Sequence, residues 1–190
     1  MEATGKPFLM HIGDLFWQNQ GRAVMLTGLV ERGRVHKGDA VEIVGFGGTA
    51  LVAVEEIEAS RRYVDEASAG MNVGLLIRGT AAGAVERGQV LAAPGSISGH
   101  TRFAADITLL SEEHGATEVR TGERLHFYFG TAVVAGDVTL TGGLDVLYPL
   151  HRGDVTITLE RPVPLEEGQC VVLRHRGRAA GSGHVMRLLS

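Results

Sequence analysis

Apolar and polar residues alternate along many short segments of this chain, which is the pattern of strands that bury one face. The segment 22–31 shows the pattern best, because Val24, Leu26 and Val30 share one parity, which Gly28 interrupts. A turn at Gly33 follows this segment. The same pattern predicts six strands in the first half of the chain, at residues 7–13, 22–31, 39–46, 49–57, 73–77 and 89–92.

Residues 94–99, with the sequence Pro-Gly-Ser-Ile-Ser-Gly, interrupt the alternation and predict a linker. The alternation then resumes and predicts strands at residues 101–110, 125–131, 132–140, 154–160, 170–175 and 184–189. No amphipathic helical pattern of useful length accompanies these strands, so the predicted fold class is all-β, with two consecutive small β-barrels. We assign the first barrel to residues 1–97 and the second to residues 98–190.

The composition suits this fold. The chain has 190 residues, enough for two domains of about 100 residues each, and its 27 glycines supply the turns that short strands need. Its one cysteine, Cys170, excludes an internal disulfide and fits a reducing compartment. Because Cys170 lies in the apolar run 170–173, we expect a buried structural thiol there and not a nucleophile.

Charge and hydrophobicity restrict the classes of partner. No apolar run approaches the roughly 20 residues of a membrane span, and the N-terminus lacks a secretory signal pattern. We therefore expect a cytoplasmic location and no membrane partner. The formal net charge of −4 argues against a broad surface that coats nucleic acid, and it is compatible with a local basic patch.

The sequence also lacks the motifs of common catalytic sites. It contains no G-x-x-x-x-G-K-[ST] loop, so GTP hydrolysis is not expected. Its eight histidines are scattered, without a spacing that would bring several of them to one metal ion. No Gly-x-Ser-x-Gly elbow is present either. We therefore expect no enzymatic activity, no metal and no cofactor.

Several segments resemble the second and third domains of elongation factor Tu and related translational GTPases. In chain order they are Lys6–Met10, Val30–Gly33, Gly38–Gly45, Ala69–Gly79 and Val85–Ile97 in the first half, and His126–Thr131 and Arg174–Gly183 in the second. The resemblance implies two barrels of the domain 2 and domain 3 type, in a chain without the GTPase domain that precedes them in the family. It implies the aminoacylated 3′ end of transfer RNA, or another RNA 3′ end, as the partner.

The resemblance further implies a pocket for that 3′ end. Its members match family positions beside the amino acid (Asp14, Phe16, Thr27), facing the terminal adenosine (Glu58, Arg61) and closing the pocket (Asn72). An aromatic wall supports a base, a carboxylate accepts hydrogen bonds from adenine or ribose, and arginine neutralises a phosphate. The chemistry of these residue types therefore suits a charged adenosine.

Other roles for these residues stay open at this point. Phe16 could plug the end of the barrel, and Glu58 could form a solvated ion pair with Arg61. Asn72 could serve the geometry of a turn. Ser60 stands where the family has an aromatic residue, which leaves a changed ligand open. Further phosphate contacts are predicted at Arg22, Arg174, Arg176 and Arg178, for which the alternative is a hairpin with exposed arginines.

Two other functions compete with recognition of charged transfer RNA. The chain could be a protein-interaction or self-association module, which uses the surface that faces the GTPase domain in the family. It could also be the C-terminal part of a divergent elongation factor. The first hypothesis predicts salt-sensitive binding that prefers charged over uncharged transfer RNA, whereas a self-association module would form oligomers in solution.

Overall fold

The computed structural model describes residues 5–79 and 84–190. The chain divides into two compact units, residues 1–98 and 99–190. Each unit is built from antiparallel strands around its own apolar interior. Across the described residues, we find no helix with the length and apolarity of a membrane span.

The first unit contains ten strands over the described residues. They are β1 (Leu9–His11), β2 (Asp14–Gln18), β3 (Ala23–Arg32), β4 (Arg34–His36), β5 (Ala40–Gly45), β6 (Gly48–Ala59), β7 (Arg62–Val64), β8 (Glu66–Ser68), β9 (Asn72–Arg78) and β10 (Val90–Ala92). Six of them close into a barrel in the order β1-β10-β5-β6-β9-β3, because β3 pairs back onto β1. Strand β2 extends the sheet beyond β3, and β7 pairs with β6 outside the ring.

Apolar side chains of one parity fill the first barrel, as the alternation predicts. The largest fully buried ones are Met10, Ile12, Leu26, Ile57, Leu75, Ile77 and Leu91. Val24, Leu26 and Val30 are all buried, so β3 carries its inward face where the sequence predicts it. The residues between them point outward, where Ala23 and Met25 pack with Leu76 in a small apolar cluster and Thr27 stays partly exposed.

The second unit is a closed six-stranded barrel in the order β11-β16-β14-β13-β17-β18, with a separate ribbon of β12 and β15. The strands are β11 (Ser98–Leu109), β12 (Val119–Arg120), β13 (Arg124–Phe129), β14 (Ala132–Leu140), β15 (Val146–Leu147), β16 (Arg152–Leu165), β17 (Cys170–His175) and β18 (Arg178–Leu188). Phe103 and Phe129 meet edge to face in its interior, with ring centroids 5.8 Å apart. The predicted fold class, all-β with two consecutive small barrels, is confirmed.

The structure differs from the sequence prediction in several places, and the short strands β7, β8, β12 and β15 are among the elements that were not predicted. The polar segment from Phe16, which lies outside the predicted strands, begins as strand β2, and only residues 19–21 form a 3-10 turn. Strand β11 begins at Ser98, inside the segment predicted as a linker. Within the same segment, the backbone N–H of Gly95 donates a hydrogen bond to Glu42 Oε2 at 2.9 Å. Cys170 is exposed, not buried. Its neighbours Val171 and Leu173 take the inward parity of β17, so the thiol points outward.

Candidate functional site

A row of paired residues crosses four strands on the outer face of the first barrel. Asp14 on β2 pairs with Thr27 on β3, and Thr27 pairs with Gly74 on β9. Gly74 in turn pairs with Glu58 on β6. Directly paired residues of antiparallel strands point to the same side of the sheet. Since Val73, next to Gly74, is buried in the barrel interior, the row faces outward.

A β-bulge in β6 aims Glu58 at this face. The register of β6 against β9 shifts between Val54 and Glu56, so one additional residue stands on the β6 side. Val54 and Ile57 are both fully buried although they differ in parity. Without the shift, Glu58 would share the inward parity of Val54. The bulge therefore turns the Glu58 carboxylate outward, which is a common use of bulges beside binding sites.

Gly74 forms the floor of a cavity of about 620 Å³ on this face. Because Gly74 has no side chain, the side chain of Met25 packs over the centre of the row, and a Cβ atom at Gly74 would lie 2.7 Å from Met25 Sδ. The lining residues are Gly13, Asp14, Phe16, Gln18, Met25, Thr27, Gly28, Glu58, Ser60, Arg61, Asn72, Val73 and Gly74. The cavity thus lies on the outside of the sheet and does not open into the barrel interior.

All six residues predicted for the pocket line this one cavity. Asp14 and Phe16 come from β2, Thr27 from the middle of β3, and Asn72 is the first residue of β9. The Phe16 side chain is 56% exposed on the outer face, so it does not plug the barrel. The structure shows that the six residues converge, and their role as ligand contacts stays a prediction.

Arg61 reaches the cavity from a constrained turn. Ser60 and Arg61 form the two-residue connection between β6 and β7, with φ angles of 50° and 62°. Positive φ at both positions is the geometry of a type I′ hairpin turn, which glycine or asparagine usually occupies. Two larger residues in this conformation store backbone strain, as functional sites often do. In the part of the chain that the structure describes, no salt bridge joins Glu58 to Arg61.

The charges at the cavity are mixed. Asp14 lies 3.9 Å from the guanidinium of Arg87, and both side chains are largely exposed, so their attraction is weak. The Thr27 hydroxyl donates a long hydrogen bond of 3.4 Å to the Asp14 carbonyl oxygen. Glu58 is half-buried and Arg61 is exposed. The cavity therefore offers two carboxylates, an aromatic face, a hydroxyl, an amide and a guanidinium within one open groove.

The four additional arginines lie outside this cavity. Arg22 shares a small depression with Arg78 and the turn after β2. The other three belong to the hairpin of β17 and β18, where Arg174 donates to the Gly177 carbonyl oxygen and Arg176 pairs with Glu123 at 3.2 Å. Arg178 lines a depression beside Glu112 and Glu118. Their role in phosphate binding stays a prediction, and the hairpin arginines have acidic neighbours.

Seven of the thirteen lining residues were not among those predicted, Gln18, Met25 and Gly74 among them. Gln18 shares the parity of Asp14 and Phe16 along β2, so alternation could have identified it once β2 was recognised as a strand. Met25 and Gly74 carry no comparable signal, because one is apolar and the other contributes by lacking a side chain. Among residues 5–79 and 84–190, no group of three or more histidine, cysteine, aspartate or glutamate side chains is placed to hold a metal ion.

Comparison with protein-family models agrees with the two barrels. The model described as elongation factor Tu domain 2 matches residues 24–92, and the model described as elongation factor Tu C-terminal domain matches residues 96–189. The first match includes four of the six pocket residues, while Asp14 and Phe16 on β2 precede it. Both barrels are therefore of the translation-factor type. The chain belongs to the elongation factor Tu family, of which it carries the domain 2 and C-terminal barrels.

Proposed function

We propose that this chain is a translation-factor-like binding module that holds the aminoacylated 3′ end of transfer RNA in the outer cavity of its first barrel. The observation that carries the proposal is the convergence of Asp14, Phe16, Thr27, Glu58, Arg61 and Asn72 on one groove. These six come from four strands and one turn, over a stretch of 59 residues from 14 to 72. The proposed role is binding without a chemical step, in the cytoplasm where charged transfer RNA is used.

The groove supplies a suitable partner for each part of a charged adenosine. The exposed ring of Phe16 offers a face for stacking, and base–aromatic stacking contributes about 1–3 kcal/mol per base. The Glu58 carboxylate accepts from the donors of adenine or ribose, and Arg61 on its rigid turn binds a phosphate. Asp14 and the Asn72 side-chain carbonyl accept from the α-amino group of the esterified amino acid.

The decisive experiment titrates the protein with transfer RNA that carries a hydrolysis-resistant 3′-aminoacyl amide, and with the same RNA uncharged. We expect the charged form to bind more tightly, with an affinity that falls as salt rises. Phe16→Ala should weaken binding about 5- to 150-fold, which corresponds to about 1–3 kcal/mol of stacking. Equal affinity for both RNAs, or no detectable binding to either, would remove the proposal.

Arg61 has a matched control in the same hairpin. Arg62, the next residue, is exposed and does not line the cavity. Arg61→Ala and Arg62→Ala remove the same charge from almost the same place, so a general electrostatic contribution would affect both variants equally. We expect Arg61→Ala alone to weaken binding by about 1 kcal/mol or more. Equal losses in both variants would place the phosphate contact elsewhere.

A second candidate function is protein–protein interaction or self-association through the second barrel. Three of its apolar side chains are exposed near one another, namely Leu110, Tyr148 and Leu150, the last at 70%. The backbone N–H of Leu150 donates to the Leu110 carbonyl oxygen at 3.2 Å, which keeps two of them together. Light scattering tests this candidate, because a self-associating chain would become monomeric with Leu150→Ser. If the wild type is strictly monomeric, self-association is excluded and only interaction with a different protein remains.

A further inference from the structure

The outer row of the first barrel continues onto a fifth strand. Glu58 on β6 pairs directly with Tyr63 on β7, so Tyr63 extends the row that crosses the cavity. The next pair of the same two strands is Ile57 with Val64, and both of these pack on the barrel core. Because successive residues of a strand point to opposite faces, Glu58 and Tyr63 both point outward. Tyr63 therefore stands on the same face as the proposed contact residues.

Tyr63 presents an exposed aromatic ring at one edge of this face. The residue is 70% exposed, and β7 pairs with β6 alone in the described part of the chain. Across the same residues, its ring has no aromatic neighbour and its hydroxyl has no hydrogen bond. Exposure of one apolar side chain is common on protein surfaces. The position of Tyr63 in the row, just beyond the residues that line the cavity, is what connects it to the site.

The hairpin of β6 and β7 fixes Tyr63 in this position. Ser60 and Arg61 form its two-residue turn, and a turn of this length sets the register of the strands that it joins. Arg61 lines the cavity, and Tyr63 follows it by two residues. Tyrosine is a rigid side chain, so little conformational entropy is lost when its ring binds a ligand. The hairpin thus presents a cation and an aromatic ring close together along the chain.

Two exposed aromatic residues lie on opposite edges of the outer face. The strands there follow the order β2-β3-β9-β6-β7, with Phe16 on β2 and Tyr63 on β7. Four strand spacings separate the two edges, which is about 19 Å along the sheet. Stacked nucleotides are about 3.4 Å apart, so the two rings cannot stack on one base. Sheets that bind single-stranded RNA commonly stack successive bases on aromatic residues, so each ring is expected to contact a different part of the ligand.

We propose that Tyr63 stacks on the base of the nucleotide that precedes the terminal adenosine of the transfer RNA. This inference rests on the proposed function, in which Asp14 holds the α-amino group, Glu58 the adenosine and Arg61 a phosphate. The ligand then crosses the sheet from β2 towards β7, and the residue beyond Glu58 is Tyr63. Directly paired residues have Cβ atoms about 4.5–5.5 Å apart, a distance that one nucleotide step spans. The site therefore covers the last two nucleotides of the single-stranded 3′ tail.

The test changes the tyrosine and the base in turn. Transfer RNA that carries the 3′-aminoacyl amide is prepared with all its bases, abasic at the penultimate nucleotide, and abasic one nucleotide further upstream. With all bases present, we expect Tyr63→Ala to weaken binding about 5- to 150-fold, because one base–aromatic stack is lost. On the RNA that is abasic at the penultimate nucleotide, wild type and Tyr63→Ala should bind equally. The RNA with the upstream abasic nucleotide is the matched control, on which the full loss should persist.

Further variants separate the aromatic ring from other properties of the side chain. Tyr63→Phe keeps the ring and should bind as tightly as wild type, whereas Tyr63→Leu keeps an apolar side chain and should bind as weakly as Tyr63→Ala. Tyr148→Ala removes another exposed tyrosine, from the second barrel, and should leave binding unchanged. Because Tyr63 is exposed, its substitution should leave the fold intact, which circular dichroism verifies.

The outcomes distinguish this inference from the proposed function. If wild type binds charged and uncharged RNA equally, or binds neither, the proposed function fails and the role of Tyr63 fails with it. If wild type prefers the charged RNA but Tyr63→Ala binds as tightly as wild type, only the role of Tyr63 is wrong. The same holds if Tyr63→Ala loses as much affinity on the RNA that is abasic at the penultimate nucleotide as on the intact one.

Discussion

Two glycines border the candidate groove and differ in what a methyl group would meet. At Gly28 an added Cβ would lie 2.1 Å from the carbonyl oxygen of His11, which is backbone. At Gly74 it would lie 2.7 Å from Met25 Sδ and 3.1 Å from Met25 Cγ, which belong to a flexible side chain. We therefore predict that Gly28→Ala destabilises the first barrel more than Gly74→Ala does.

The expected change in the free energy of unfolding depends on which atoms each added methyl group displaces. Relieving a 2.1 Å contact requires β1 to shift by about 1 Å, and β1 closes the barrel through two paired positions on β3. This shift would break about two backbone hydrogen bonds, at about 1 kcal/mol each, and would leave buried polar groups without partners. We therefore expect Gly28→Ala to lower the free energy of unfolding by about 2–4 kcal/mol. At Gly74 the displacement of an adaptable methionine costs about 1–3 kcal/mol. The reduced freedom of the unfolded chain offsets about 0.5–1 kcal/mol of that cost.

Trp17 makes the measurement selective. It is the one tryptophan of the chain and lies on β2, paired with Val24 of β3, so its fluorescence reports on the first barrel. With an m-value of about 2 kcal/mol/M, Gly28→Ala should lower the urea midpoint by about 1–2 M. Gly74→Ala should keep a midpoint within about 1 M of wild type while it weakens binding of charged transfer RNA. A wild-type midpoint for Gly28→Ala, or equal losses in both variants, would refute the reasoning.

Three further variants test other parts of the molecule. Gly183→Ala places a Cβ 1.7 Å from the Asp106 carbonyl oxygen, so it should separate β18 from β11 and abolish hydrogen-exchange protection of the β18 amides that bond to β11. Phe103→Ala empties a fully buried site and should cost about 3–5 kcal/mol, measurable by thermal unfolding. A hydrogen bond from His11 lowers the pKa of Glu31 below its ordinary value of 4.5, so Glu31 stabilises the fold above that pH and loses this contribution as pH falls through the lowered pKa. The difference in urea midpoint between wild type and Glu31→Gln should therefore shrink as the solution is acidified, and a difference that is constant with pH would contradict it.

The strands that were predicted well are those with one face in a barrel interior. Strand β3 shows this, since Val24, Leu26 and Val30 face the barrel interior and Gly28 takes the inward position between Leu26 and Val30. Strand β2 could not be found in this way, because it has one neighbouring strand and none of its residues is buried. The ribbon of β12 and β15 has two residues in each strand, which is too short for a period of two to be visible. Val119 and Leu147, which pair across this ribbon, are buried, but one buried residue in each strand shows no alternation.

The candidate site was accessible from the sequence only through the family resemblance. Alternation places Asp14 and Phe16 on one face once β2 is known, but nothing local connects them to Asn72. Gly74 contributes by lacking a side chain, so that Met25 can pack over it, and no residue pattern indicates this. The prediction that Cys170 is buried was wrong for a different reason, because its apolar neighbours suggested that every residue of the run is buried. In a strand of alternating orientation, an apolar run includes outward positions, and the thiol occupies one of them.

The groove depends on a departure from regular alternation more than on any single residue. If β6 kept one parity throughout, Glu58 would point into the barrel with Val54, where an unpaired carboxylate would cost several kcal/mol. The register shift before Glu56 lets Ile57 enter the interior instead and turns Glu58 towards the row that contains Gly74. The same shift positions the strained turn that carries Arg61 at the end of the strand. The shape of the groove on the outer face and the packing on the inner face are therefore set by one local irregularity. Exposed residues of the groove can change with little cost to the fold, whereas the bulge and the close-packed Gly28 cannot.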